Sequence, residues 1–554
     1  MEAEQVPSPL VLWGSIYTMN PSAPWAEAVV VLEGRIAFEG SREYLTADAK
    51  VIDVSSLPEG GLILPGFQDA HVHPLSGMII EQSCDMARCG GLEPALALVE
   101  EYAADHPEME WIVGGGWDMS WFPDGLSLAS VLDRVMADRP AVFRRVDGHA
   151  VWANTAAMQA IDVYHKDFPD PPHGRIDKDP HTGLPIGSFQ EQAGDLFQKH
   201  IPPLPMAARV EALELGMKRM ASLGITAFQD ALIRGPNIHA YEEAIRDPKR
   251  FPLKCSVCLW WDFHHAEGTS SDYAKLIEKT DNKLVRVNTI KLMLDGVMET
   301  KTAYLHEPYC SCHVKSGEAH KSHEADHRGI TNFPRDYLHM VTAAADNAGF
   351  QIHCHSIGDN ALSDVLDAFE QIKKEREARG EWEGCDLRHQ VAHLQVVRPV
   401  DVPRFKALDV IANFQPYWSF KDTWMIYPIR EVLDTGAHVC FGSDWFVSSL
   451  NPLDGIEVAI THLPLGTKPD SEEAKDPLNP HQRITLEQAL RAYTLGSAYA
   501  GFLDKETGSI EVGKAADIIV LDKNLFEIPT HDIHTAKVTH TFVDGALVYA
   551  ASSS

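Results

Sequence analysis

Eight short apolar runs, each about as long as a buried strand, recur through this chain with helix-length stretches between them. They span 62–72, 224–230, 253–261, 287–295, 350–355, 388–393, 410–415 and 438–444. Candidate helices lie at 206–223, 336–348, 361–374 and 486–500. Strand and helix alternating in this way is the signature of βα units around a parallel sheet, and eight such units close naturally into a (β/α)₈ barrel. The gap between the first and second runs is too long for one helix. An insertion is therefore predicted over about residues 85–220, near the mouth of the barrel. The two ends read differently, with polar and apolar residues alternating over 10–54, 508–522 and 538–550, as in short antiparallel strands. The predicted architecture is an α/β barrel domain over 62–501, with a small composite β-sandwich built from 1–61 and 502–554.

Several function classes are excluded at this level. A net charge of −31 leaves no concentrated basic face for nucleic acid. No apolar run is long enough to span a membrane, and no basic-then-apolar leader opens the chain, so a cytoplasmic protein is expected. The nine cysteines, several inside apolar runs, read as buried thiols in a reducing compartment. Cys255 and Cys258 sit three apart on a predicted strand, so they face opposite ways and do not share a metal.

Chemistry in a (β/α)₈ barrel collects at the carboxyl ends of the strands. Those ends carry His71 and His73 on the first run, Lys291 on the fourth and His353 or His355 on the fifth. His393 ends the sixth and Asp444 the eighth. Residues two apart on a strand share a face, so His71 and His73 can reach one ion, whereas the same rule leaves His353 and His355 undecided. Nitrogen and carboxylate donors of this kind suit zinc and related divalent ions, one or two of them.

The chain resembles the amidohydrolase superfamily, and within it the YtcJ-like group of amidohydrolase family 3, which includes N-substituted formamide deformylases. The resemblance rests on Pro65-Gly-Phe-Gln-Asp-Ala-His-Val-His73, Gly114-Gly-Gly-Trp-Asp118, Arg145-Val-Asp-Gly-His149 and Gly183-Leu-Pro-Ile-Gly187. It continues through Gly224-Ile-Thr226, Lys291-Leu-Met-Leu-Asp-Gly296, His355-Ser-Ile-Gly-Asp359, Gly442-Ser-Asp444 and the stretch 508–522. It implies a metal site of His71, His73, His355 and His393 with Asp444 beside it, and a carboxylated Lys291 as bridge. The family pattern selects His355 and leaves His353 as a satisfied barrel histidine or a neighbour that supports the ligands. Without a carboxyl group, Lys291 would be an ammonium paired with a carboxylate such as Asp295. The resemblance also implies that His149, in the insertion, reaches over the mouth to polarise a substrate carbonyl.

The expected activity is metal-assisted hydrolysis of an amide-type carbon–nitrogen bond in a small molecule. Asp444 would move a proton from water to the departing nitrogen. Alternatives are an esterase, lactonase or cyclic-amide hydrolase of the same fold, or a catalytically inactive metal-binding regulatory protein. Trp117, Trp121, Trp152, Phe420, Trp424 and Trp445 fall in segments expected near the mouth. Trp117, His149 and Trp445 are the candidates for substrate contact. Asp230 and Asp359 read as structural acceptors. The stretch Cys310-Ser-Cys-His313 with His320, His323 and His327 lacks zinc-finger spacing and reads as an exposed loop, and Gly114-Gly-Gly116 lacks the Lys-Ser/Thr of a phosphate loop. Exposed strand edges at the termini could mediate a homodimer.

Overall fold

The computed structural model describes residues 9–41, 50–54, 60–234, 237–247, 249–261, 284–309, 327–420 and 427–552. Among these, eight parallel strands run in spatial order: Phe67–Val72, Ile225–Ile233, Lys254–Trp260, Val285–Met293, Gln351–Ser356, Gln390–His393, Ile411–Phe414 and Val439–Phe441. Backbone bonds across the remaining gap join the first strand to the turn after the eighth. Asp444 N–H donates to His71 O at 2.7 Å and His73 N–H to Trp445 O at 2.8 Å. The sheet thus rounds into a barrel at the end where the candidate ligands lie.

The fifth strand shows how the sequence builds this barrel. Ile352 and Cys354 point outward into the apolar layer that also holds Leu338, Val341 and Leu362 of the flanking helices Arg335–Asn347 and Asp359–Arg379. Gln351, His353 and His355 alternate with them and are equally buried, on the opposite face. Barrel interiors are commonly filled with branched aliphatic side chains. Here Gln229, Thr289, Gln351, His353, Gln390 and Asn413 bond to one another inside it.

The run read as one strand over 62–72 is two. Leu62–Pro65 pairs antiparallel with Ile518–Leu521 and parallel with Leu10–Tyr17, in an eight-stranded sheet made from both ends of the chain. Only Gly66 separates it from the first barrel strand. A Cβ on Gly66 would lie 2.2 Å from Thr226 Cγ2, so the crossing has room for hydrogen alone. Between the first and second barrel strands the chain builds a separate six-stranded sheet, from Cys84–Asp85 to Pro185–Glu191. That sheet has its own apolar clusters, one around Trp117, Phe143 and Trp152 and another around Val151, Phe189 and Phe197. No helix of the described residues is long and apolar enough to cross a membrane.

Candidate active site

His71 and His73 end the first strand with their rings 5.4 Å apart and nearly perpendicular. Asp444 follows the eighth strand in a left-handed conformation, φ 53°. Its Oδ1 lies 3.0 Å from His73 Nε2 and 3.4 Å from His71 Nε2. His393, last in its strand at φ 79°, brings its ring 4.8 Å from His71 and 4.5 Å from His355, with Trp418 stacked on it. Positive φ is costly for residues with a Cβ, and here it occurs at two side chains aimed into one site. Donor atoms of His71, His393 and Asp444 all lie within 4.8 Å of one another.

These residues have the electrostatics of a cation site. Burial, and then the Lys291 cation, hold His71 well below the usual imidazole range. His355 and His393 are held there by burial and the neighbouring rings and cation. All three are therefore neutral, with a lone pair to offer. His355 Nε2, His393 Nδ1 and Lys291 Nζ are buried without a hydrogen-bond partner among the described residues, while His355 Nδ1 lies 3.2 Å from Asp295 Oδ1. Each such atom costs roughly 1–3 kcal/mol, a cost that a cation among them would remove, so the residues fit a divalent metal. Burial also pushes the Lys291 amine down to about 8.

His149 arrives from the insertion, its ring 5.1 Å from His355. Its Nδ1 lies 2.8 Å from Glu191 Oε2, and its backbone oxygen accepts from Glu191 N–H at 2.8 Å. The other carboxylate oxygen of Glu191 accepts from Thr302 Oγ1 at 2.8 Å, which ties the insertion to the loop after the fourth strand. Glu191 itself has φ 51°, and a Cβ on Gly296 would fall 2.2 Å from its Oε1. Burial works against a charge on His149, but Glu191 and then Asp147 outweigh it and raise the imidazole to about 9.

Other candidates fall elsewhere. Trp117, expected at the substrate, is fully buried in the core of the insertion. It packs edge-on to Phe122 and Trp152 and donates its indole N–H to Phe143 O. Trp121 and Trp152 belong to the same cluster. Trp445 makes its ring contacts with Gly77 and Arg219. It covers Gly77 beneath the guanidinium of Arg219 and lines a 220 Å³ cleft beside the barrel. Its neighbour Phe446 is the aromatic residue near His73, at 6.3 Å.

Lys291 does not pair with Asp295, whose carboxylate accepts instead from the backbone of Tyr304, Ile357 and Gly358. Asp230 accepts from Tyr241 Oη and also lies 3.9 Å from His73 Nδ1, whereas Asp359 accepts from His306 N–H. Cys258 faces His353 inside the barrel, whereas Cys255 joins the outer apolar layer. Trp424 and residues 310–326 lie outside the described residues. His327 Nε2 donates to Lys301 O.

Sequence reasoning passed over two residues. Glu191 ends the strand Pro185–Glu191 inside the predicted insertion, where a carboxylate between Gln190 and Gln192 was the available signal. Asp69, just before the His-x-His pair, accepts from His71 N–H and Ser443 N–H at 3.0 Å each and so holds the ligand strand to the Asp444 turn. Burial pushes its carboxyl up to about 7 against those bonds.

Comparison with known proteins accords with this geometry. The N-substituted formamide deformylase of Arthrobacter pascens is 25% identical over 98% of this chain and 99% of its own. The protein LONG AFTER FAR-RED 3 of Arabidopsis thaliana is 26% identical over 98% of this chain and 91% of its own. An uncharacterized metal-dependent hydrolase from Pyrococcus horikoshii superposes with a TM-score of 0.70 at 20% identity, covering 94% of this chain and 99% of that one, which shows a common fold. The amidohydrolase family matches residues 58–549, nearly the whole sequence, and the chain belongs to that family.

Proposed function

We propose that this hydrolase cleaves an amide-type carbon–nitrogen bond in a small molecule, an N-substituted formamide or N-acyl compound, in the cytoplasm. Its metal centre is held by His71, His73, Lys291, His355, His393 and Asp444. One observation carries the reading: buried neutral imidazoles and a carboxylate converge from four strand ends, and several of their donor atoms have no other partner among the described residues.

One or two zinc ions bound there would supply Lewis acidity, polarising a carbonyl and making water a nucleophile near neutral pH. Carbon dioxide added to Lys291 Nζ, with one N–C bond formed and one proton released, would turn the amine into a carbamate anion whose oxygens could help hold the metal. Asp444 takes a proton from the attacking water and returns it to the departing nitrogen, without which an amide nitrogen leaves poorly. His149 donates from Nε2 to the carbonyl oxygen as charge develops there, while Glu191 holds Nδ1. The N-terminal and C-terminal strands form the small sandwich in this reading, and the insertion of about residues 85–220 caps the mouth. Phe446 takes the place that Trp117 and Trp445 were expected to fill.

The test is metal content per chain on untagged protein, with a His71→Ala/His73→Ala control, followed by a substrate panel. The panel holds N-substituted formamides, N-acyl amino acids, cyclic ureides and aryl esters. One or two ions that the control loses, with turnover of an amide, support the reading. Turnover of esters alone would make the protein an esterase of the same fold. A parent chain that takes up no metal even with zinc and bicarbonate overturns it.

A further inference from the structure

The barrel floor beneath the histidines is a ladder of buried amides whose donors and acceptors can be assigned one by one. Backbone carbonyls only accept, so an amide nitrogen bonded to one is identified by it. Gln351 Nε2 donates to Arg388 O at 2.7 Å and Ala500 O at 2.9 Å. Its Oε1 therefore faces inward, where it accepts from Thr289 Oγ1 at 2.7 Å and Gln229 Nε2 at 3.1 Å. From the other side, Asn413 Nδ2 donates to Ala70 O at 3.0 Å and to Gln390 Oε1 at 2.9 Å. That turns Gln390 Nε2 toward Gln229 Oε1, at 2.8 Å. Both anchors give the same answer: the atom of Gln229 facing His353 is its oxygen.

That oxygen lies 3.1 Å from His353 Nδ1, and a carbonyl oxygen there requires an N–H. His353 is fully buried and makes no carboxylate contact among the described residues, so it carries a single ring proton, on Nδ1. Its Nε2 is then an acceptor, 2.9 Å from His71 Nδ1, which must donate. The proton of His71 thus sits on Nδ1 and its lone pair on Nε2, the atom that faces Asp444.

We propose that Gln229 and His353 are positioning residues for the metal centre. The amide ladder fixes the tautomer of His353, and His353 fixes that of His71, so that His71 presents a bare Nε2 to the cation. The inference rests on the metal-centre reading above. It assigns His353 to supporting a ligand rather than being one, and gives the polar barrel interior a task. The same ladder explains why strand interiors that usually hold aliphatic side chains are glutamine and asparagine here.

The experiment is a Zn²⁺ titration against a competing chelator for the parent chain, Gln229→Met and His353→Phe. Thermal melts check that each folds. Partners that support metal ligands are typically worth roughly 10- to 100-fold in affinity, so both variants should weaken Zn²⁺ binding by about that factor. ¹⁵N-histidine spectra of the parent protein, assigned through single-histidine variants, should show His353 protonated on Nδ1 and His71 on Nδ1. This second measurement stands even if a variant fails to fold. Unchanged Zn²⁺ affinity in a folded Gln229→Met protein, or a His353 proton on Nε2, overturns the inference and leaves the metal centre intact. A parent chain that binds no Zn²⁺ overturns the metal-centre reading and this inference with it.

Discussion

His149 and Glu191 meet at 2.8 Å at the ends of two neighbouring strands of the insertion, and backbone and side chain both join them. An imidazole delivered by an inserted sheet would otherwise approach the barrel at the mercy of that sheet's motion. The bond from Thr302, in the loop after the fourth barrel strand, to the other oxygen of Glu191 anchors the pair to the barrel.

The pair predicts a pH dependence. His149 is raised from the usual imidazole value near 6.5 to about 9. A group raised on folding contributes stability that is complete below the unfolded value and is lost as pH rises through the folded one. The Nε2 proton that His149 would donate leaves with the imidazolium charge, so turnover should hold to about pH 9 and fall above it. Glu191→Gln, which keeps the shape but not the charge, should move that alkaline limb toward 6.5. His149→Ala should cost about 10²–10³ in kcat, as removal of an oxyanion donor does. An alkaline limb that Glu191→Gln leaves in place would show that the pair plays no part in catalysis.

Asp444 is predicted to be needed for proton transfer more than for holding metal. Asp444→Asn should retain most of the bound metal, because the imidazoles remain, and lose roughly 10²–10⁴ in kcat. Metal analysis and steady-state kinetics on the same preparation separate the two effects. Near-normal turnover would remove Asp444 from the mechanism.

Lys254 holds the barrel to the terminal sheet. Its Nζ sits 2.7 Å from both carboxylate oxygens of Asp517, which is wholly buried, and 3.0 Å from Asp544 Oδ1. Removing one partner strands a buried charge, so Lys254→Met should destabilise the protein by about 3–5 kcal/mol. Lys254→Met/Asp517→Leu should recover much of that loss in a denaturant titration. Simple additivity of the two single losses would contradict the pairing.

Gly66 is predicted to tolerate no side chain, since Thr226 occupies the space a Cβ would need. Gly66→Ala should cost about 1–3 kcal/mol, and adding Thr226→Gly should restore much of it. A Gly66→Ala protein as stable as the parent would show that the crossing can open.

The barrel was legible in the sequence because its strands are short and apolar on at least one face. The ligands at their ends were legible because strand ends gather chemistry in this fold. The tryptophans misled because an aromatic residue near a predicted mouth can equally fill an inserted domain's own core, as Trp117 does beside Trp152. The boundary at Gly66 was invisible because the apolar residues of Leu62–Pro65 run on to Phe67, Ala70 and Val72, and only the pairing partners differ. His353 and His355 could not be separated by spacing, since both face inward. Their neighbours distinguish them: His353 is satisfied by Gln229 and His71, whereas His355 has Asp295 at its Nδ1 and no hydrogen-bond partner for Nε2 among the described residues.

The two-strand run through Gly66 bears on biosynthesis. Leu62–Pro65 leads directly into the His71 and His73 strand, yet its antiparallel neighbour Ile518–Leu521 lies near the other end of the chain. At synthesis rates of about 5–20 residues per second, Leu62–Pro65 emerges on the order of tens of seconds before this neighbour. Until then it remains an unfinished edge rich in apolar side chains, open to chaperones and to stray pairing. A metal centre that draws on both His71 and Asp444 would be completed late in synthesis, because the two residues belong to the first and the eighth barrel strands.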